Sequence, residues 1–118
     1  MRFAFRRPHF PVIIVVGDYV FGATSPAGLK KCLRRALRPG IEVKLLDQTW
    51  EWFELAPDSD LLIPSFLNRT TPSKRAVVAL VNGRANRPPE APLCEPRSLS
   101  SHTREDIFAE LLALLRTS

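Results

Sequence analysis

"PVIIVVGDYVFGATSPAG", residues 11–28, decides the fold, because the point where its strand ends determines the direction of everything that follows. Residues 11–18 form a continuous β-branched run interrupted at Gly17, the pattern of a central strand buried on both faces. Residues 17–28 then read as a glycine-spaced loop that opens a helix, with Ser25 as N-cap and Pro26 at the first helical position. Pro39 and Gly40 end that helix. Within it Leu29, Cys32, Leu33, Ala36 and Leu37 make one apolar stripe, and Lys30, Lys31, Arg34, Arg35 and Arg38 fill the other face.

Working outward, "IEVKLL", 41–46, reads as the second strand, and a right-handed crossover through the helix predicts it parallel to the first. "DQTWEWFEL", 47–55, fits either a short helix with Trp50, Phe53 and Leu55 inward or a strand with Trp50 and Trp52 on one side; the short helix is preferred. "DLLIPSF", 60–66, is the third strand, "RAVVALVNG", 75–83, the fourth, and "PLCEP", 92–96, a short edge strand. The last helix starts at a capping-box pattern, Thr103 with Asp106, and presents Ile107, Phe108, Leu111, Leu112 and Leu115 on one side.

This order predicts an α/β fold: a small, mostly parallel sheet with helices on both faces. The connections at 67–75 and 84–91 are too short for full crossover helices, so the second helical layer is incomplete and one strand pair can be antiparallel. The 118 residues suit a single α/β domain, 1–118, with a basic N-terminal arm at 1–10 and a proline-rich loop segment at 84–97. With 45 % hydrophobic and 25 % charged residues, the composition is that of a folding chain rather than a disordered one.

Cys32 and Cys94 are too few and too far apart for a disulfide framework or a zinc site, which points to a reducing, cytoplasmic setting with no metal and no cofactor. The longest apolar run, 10–17, falls far short of the roughly 20 residues that cross a bilayer, so no membrane role is expected. The Arg-rich, acid-free start "MRFAFRRPHF" keeps organelle import as a minor option.

The net charge of +5 is unevenly placed: residues 1–40 carry eight basic and one acidic side chain, and 41–60 carry one and six. A basic first third beside an acidic middle can steer a polyanion or a complementary protein surface. The same block holds the candidate binding groups. Thr24, Ser25, Lys30 and the N–H groups at the helix start form a candidate anion pocket, with Lys31 beside it. The helix face with Arg2, Arg6 and Arg7 of the arm could track a nucleic-acid backbone, with Phe3, Phe5, Phe10 or Trp52 as aromatic platforms. Catalytic groups are sparse: His9 and His102 lie apart, and no serine or cysteine sits in a nucleophile elbow. Asp58 with Asp60 and Glu51 with Glu54 read as an acidic surface block, and the Asn68–Thr70 sequon carries no meaning without a secretory signal.

The element order, the opening "VIIVVGDY", the strand "DSDLLIPSF" and the tail "LCEPRSLSSHTREDIFAELLALLR" resemble the receiver domain of bacterial response regulators, a flavodoxin-like fold. The resemblance implies an acidic pair at Gly17 and Asp18, a phosphoacceptor at Ser65 or Pro64, and a lysine at Glu95. Only Asp18 retains the required chemistry, so the resemblance implies a silent receiver with a degenerate pocket at Asp18, Ser65 and Glu95. The resulting expectation is a non-catalytic regulatory or assembly module acting through protein–protein interaction. Its partner is another protein or a second copy, docked on the helix's basic face or on 84–97. The alternative is a nucleic-acid or polyanion-binding domain using the arm and the basic helix face.

Overall fold

The computed structural model describes residues 2–3, 5, 7–36, 38–56, 61–65, 71–90 and 102–115. Their elements run β1 (Arg2–Phe3), β2 (Val12–Val16), β3 (Tyr19–Ala23), α1 (Pro26–Ala36), β4 (Val43–Asp47), β5 (Trp52–Leu55), β6 (Leu61–Pro64), α2 (Lys74–Asn82) and α3 (Arg104–Leu115). The sheet order is β1-β6-β5-β4-β2-β3. Every pairing from β3 to β6 is antiparallel, and the two-residue β1 joins β6 in parallel at the edge. The mostly parallel, flavodoxin-like sheet is therefore corrected, and with it the fold that the receiver resemblance implies.

The cause lies in the opening stretch. The chain does not pass from its first long strand to a helix; it turns back at Gly17 and Asp18, pairing Val16 with Tyr19 and Val12 with Ala23. A two-residue connection can join only antiparallel strands. Gly17 sits at φ +58, the left-handed backbone such a turn requires. α1 thus connects β3 to β4, not β2 to β4. Since both flank β2 and run antiparallel to it, β3 and β4 are parallel to each other with β2 between them.

Two further expectations fail for local reasons. Residues 47–55 form a tight turn and the strand β5 instead of a short helix, because the Asp47 carboxylate gathers the turn's donors. Residues 75–83 form a helix, α2, not a fourth strand: Ser73 caps it, its Oγ accepting from Ala76 N at 3.1 Å, and Val77, Val78 and Val81 fall on one helical face. The expected edge strand at 92–96 lies outside the described residues.

Strand alternation divides the sheet's side chains between two cores. Ile13, Val15, Val20 and Leu46 pack with Trp50 against α2 and α3 through Val77, Val81, Phe108 and Leu111. Val12, Ile14, Phe21, Leu45, Phe53 and Leu62 pack on the other side against Leu29 and Leu33 of α1. Phe3 and Phe10 join that second core. β1 lies at one edge and β2 near the other, and Phe3 and Phe10, on either side of that span, both pack on this face. α1 and the arm therefore cover the same face of the sheet.

Candidate basic surface

The sheet's two faces differ in charge as well as in covering elements. On the side of α2 and α3, Lys74, Arg75 and Arg104 are interspersed with Glu105, Asp106 and Glu110. On the other side, α1 has no acidic residue in its first turn and carries Lys30, Lys31, Arg34 and Arg35, all exposed. Arg38 follows the helix and is exposed, as is Arg7 in the arm. The Arg7 guanidinium lies over the Phe3 ring, 4.9 Å from its centroid, so that a half-buried aromatic holds a cation at the surface. This layer presents charge of one sign.

Local sequence explains how α1 holds its position. The Ser25 hydroxyl accepts the Gly28 N–H at 3.2 Å and the Ser25 carbonyl accepts from Leu29 at 3.0 Å, which fixes the first turn. Ser25 is thus occupied in capping, and Thr24 is exposed beside it. Leu29 and Leu33 are buried, leaving the lysines and arginines outward. Between them the half-buried Cys32 points its sulfur toward Gly22 O at 4.0 Å. Burial pushes the Cys32 thiol up, and the nearby charges of Arg35 and then Lys31 partly oppose that shift.

The arm is held by a buried carboxylate. Asp47, fully buried, accepts from His9 N at 3.0 Å through Oδ2, while its Oδ1 takes Thr49 N, Thr49 Oγ1 and Glu51 N at 3.0, 2.6 and 3.1 Å. Gln48 N also donates to His9 O at 3.1 Å. The β4–β5 turn and the arm are therefore tied at one point. Sequence reading did not single out Asp47, although an Asp that hydrogen-bonds the backbone two residues on is the usual signature of an Asx turn.

The sequence-predicted residues thus separate into two groups. Lys30, Lys31, Arg34, Arg35, Arg38 and Arg7 share the α1 side of the molecule. Arg2 lies in β1 with its side chain outside the described residues, as does all of Arg6. Of the expected receiver pocket, Asp18 and Ser65 are not brought together: Asp18 is in the β2–β3 turn, whereas Ser65 follows β6. Alternating strand directions put the turn at the Val43 end of β4 and Ser65 at the opposite, Trp52 end of the sheet. Ser65 is buried and gives its N–H to Trp52 O at 2.9 Å. Glu95 lies outside the described residues.

Among the described residues, no three His, Cys, Asp or Glu side chains gather as metal ligands, and no helix is long and apolar enough to cross a membrane. Arg84, buried after α2, donates through Nη1 to Val81 O at 2.7 Å, and burial, followed by the nearby Arg87, pushes its guanidinium down. Asn86 closes the outer edge of β3: its Oδ1 accepts from Val20 N at 3.0 Å and its Nδ2 donates to Val20 O at 2.8 Å. Ala85 N adds a bond to Asp18 O at 2.8 Å. Comparison with protein-family models, with characterised proteins and with solved structures finds no match to this chain.

Proposed function

We propose that this protein is a polyanion-binding module whose contact surface is the layer made by α1 and the N-terminal arm. The observation that carries this reading is the company the basic residues keep. Arg7 and the cations of α1 are exposed on the side of the sheet that these two elements cover, and neither α1 nor the arm contributes a carboxylate. Clustered like charges repel one another and add nothing to folding, while a chain of phosphates neutralises them and releases its counterions. The interaction-module reading uses the same basic face, with an acidic protein as the partner. Residues 84–90 offer that reading less support, since Ala85 and Asn86 are bonded to the hairpin of β2 and β3.

Retention on immobilised heparin tests the proposal. The native protein is expected to elute well above physiological salt, and the combined Lys30→Glu, Arg34→Glu and Arg35→Glu variant in the flow-through with unchanged circular dichroism. Equal retention of the two proteins, or none for either, would remove the reading.

A further inference from the structure

The aromatic residues named from the sequence as stacking platforms do not offer an open ring beside α1. Phe3 and Phe10 are half-buried against the second core. Trp52 packs on the opposite face of the sheet, and Phe5, exposed in the arm, already has an interaction within the fold. The sequence reading passed over Tyr19, which is 46 % exposed at the first position of β3. Strand alternation puts it on the α1 side: it pairs with Val16, and Val16, Phe21 and Ala23 all lie in the core that α1 covers. Its ring meets that of Phe21, with centroids 6.2 Å apart and planes tilted by 59°, so a buried neighbour sets its orientation.

α1 brings cations to the same place. It starts beyond the far end of β3 and runs back along it: a Cβ on Gly28 would lie 3.5 Å from Ala23 Cβ, and Cys32 Sγ is 4.0 Å from Gly22 O. The chain beyond the helix then meets the β2–β3 turn, where Glu42 O accepts from Gly17 N at 3.1 Å. The last turn of α1, with the exposed Arg34 and Arg35, is therefore its nearest turn to Tyr19. From Gly22 to Tyr19 is roughly 10 Å of strand and from Cys32 to Arg35 about 4.5 Å of helix, so Tyr19 and Arg35 differ by roughly 5 Å along the strand, a step that a single nucleotide covers. Beyond Tyr19 the charge reverses: Asp18 in the turn and Glu42 just before β4 are both exposed.

We infer that the polyanion is a single-stranded nucleic acid whose phosphates follow α1 and one of whose bases stacks on Tyr19. This rests on the polyanion reading above. The change of sign carries the argument. A sulfated polysaccharide, charged along its whole length, or a duplex with its phosphates outermost gains nothing by continuing past Arg35 toward two carboxylates. A single strand presents neutral aromatic faces beside its phosphates, and a basic track ending at an aromatic ring serves both parts at once. Asp18 and Glu42 repel phosphates, which keeps the backbone on the helix and leaves the ring to a base.

The test is fluorescence anisotropy with a labelled single strand of mixed sequence, its duplex form, and heparin as competitor, using the full chain. The native protein is expected to bind the single strand more tightly than the duplex. Tyr19→Leu, which keeps apolar bulk on Phe21 and removes the π-face, is expected to weaken single-strand binding roughly tenfold, with the salt slope and heparin retention unchanged. Tyr19→Phe, which keeps the ring and removes the hydroxyl, is expected to bind as the native protein does. Thermal unfolding of each variant checks that the hairpin is intact. Single-strand affinity unchanged in Tyr19→Leu, an equal loss in Tyr19→Phe, or a preference for duplex overturns the inference, while heparin retention leaves the polyanion reading standing. Binding of neither nucleic acid nor heparin overturns both.

Discussion

At the scale of single residues, Asp47 concentrates more of the structure than any cation on the surface. Three of its four contacts reach Oδ1 and one reaches Oδ2. The division matters because it separates the two ways of altering the residue. Asp47→Asn can keep an oxygen toward Thr49 and Glu51 and loses chiefly the acceptor for His9 N, so the expected cost is about 1 kcal/mol. Asp47→Ala leaves all four donors to find other partners in a buried site, and the expected cost is about 3 kcal/mol. Urea denaturation followed by tryptophan fluorescence distinguishes the two, with the slope of the transition unchanged in both. Equal costs would mean that the carboxylate's charge, not its geometry, holds the turn. The neighbouring Trp50 shows what the turn positions: at φ +66 its ring is buried, edge-on to Phe108 at 6.4 Å, with Nε1 donating to Arg104 O at 3.3 Å.

At the scale of elements, the decisive feature is the hairpin of β2 and β3. The run Val12–Val16 and the capped helices α1 and α3 were legible because each carries its own local signal: a β-branched core strand, Ser25 before Pro26, and Thr103, whose Oγ1 accepts from Asp106 N at 3.1 Å. "YVFGA" gave no such signal in isolation, with Gly22 inside it and Gly17 two residues before it. Its strand character comes from tertiary pairing with β2 and from Asn86, which occupies the outward N–H and carbonyl of Val20 as another strand would. The same limit applies to α2, whose valines have strand propensity but whose cap and burial pattern are helical. Of the candidate surface, the basic helix face was visible as a period; its union with the arm was not, because nothing in the period says that β1 pairs at the far edge. The hairpin provides a direct test. Gly17→Ala places a Cβ 3.4 Å from Ile41 Cγ2, an ordinary contact, so its expected cost of about 1 kcal/mol comes from the positive φ. Gly17→Asn, which tolerates that conformation better, is expected to recover most of the loss in the same thermal or urea unfolding. A cost for Asn as large as for Ala would place the strain in packing against Ile41 instead.

At the scale of the whole molecule, the sheet separates two environments: one side mixes Lys74, Arg75 and Arg104 with three acidic side chains of α3, and the other carries only cations on α1 and the arm. Net charge alone would attract any polyanion to any part of this protein, so the argument for a binding face depends on position and not on the total of +5. A matched pair of reversals separates the two. Arg34→Glu and Arg75→Glu change the net charge equally, both side chains are exposed, and they stand on opposite sides of the sheet. If Lys30, Lys31, Arg34, Arg35 and Arg7 each neutralise one phosphate of a single-stranded probe, the logarithm of affinity should fall against the logarithm of salt with a slope of about −3.5. Arg34→Glu removes one such contact and is expected to make the slope shallower by about 0.7. Arg75→Glu is expected to lower affinity slightly at low salt through the general field and to leave the slope as it was. Anisotropy titrations at several salt concentrations measure both, and equal slope changes in the two variants would assign the attraction to the protein's overall charge and not to the layer of α1 and the arm.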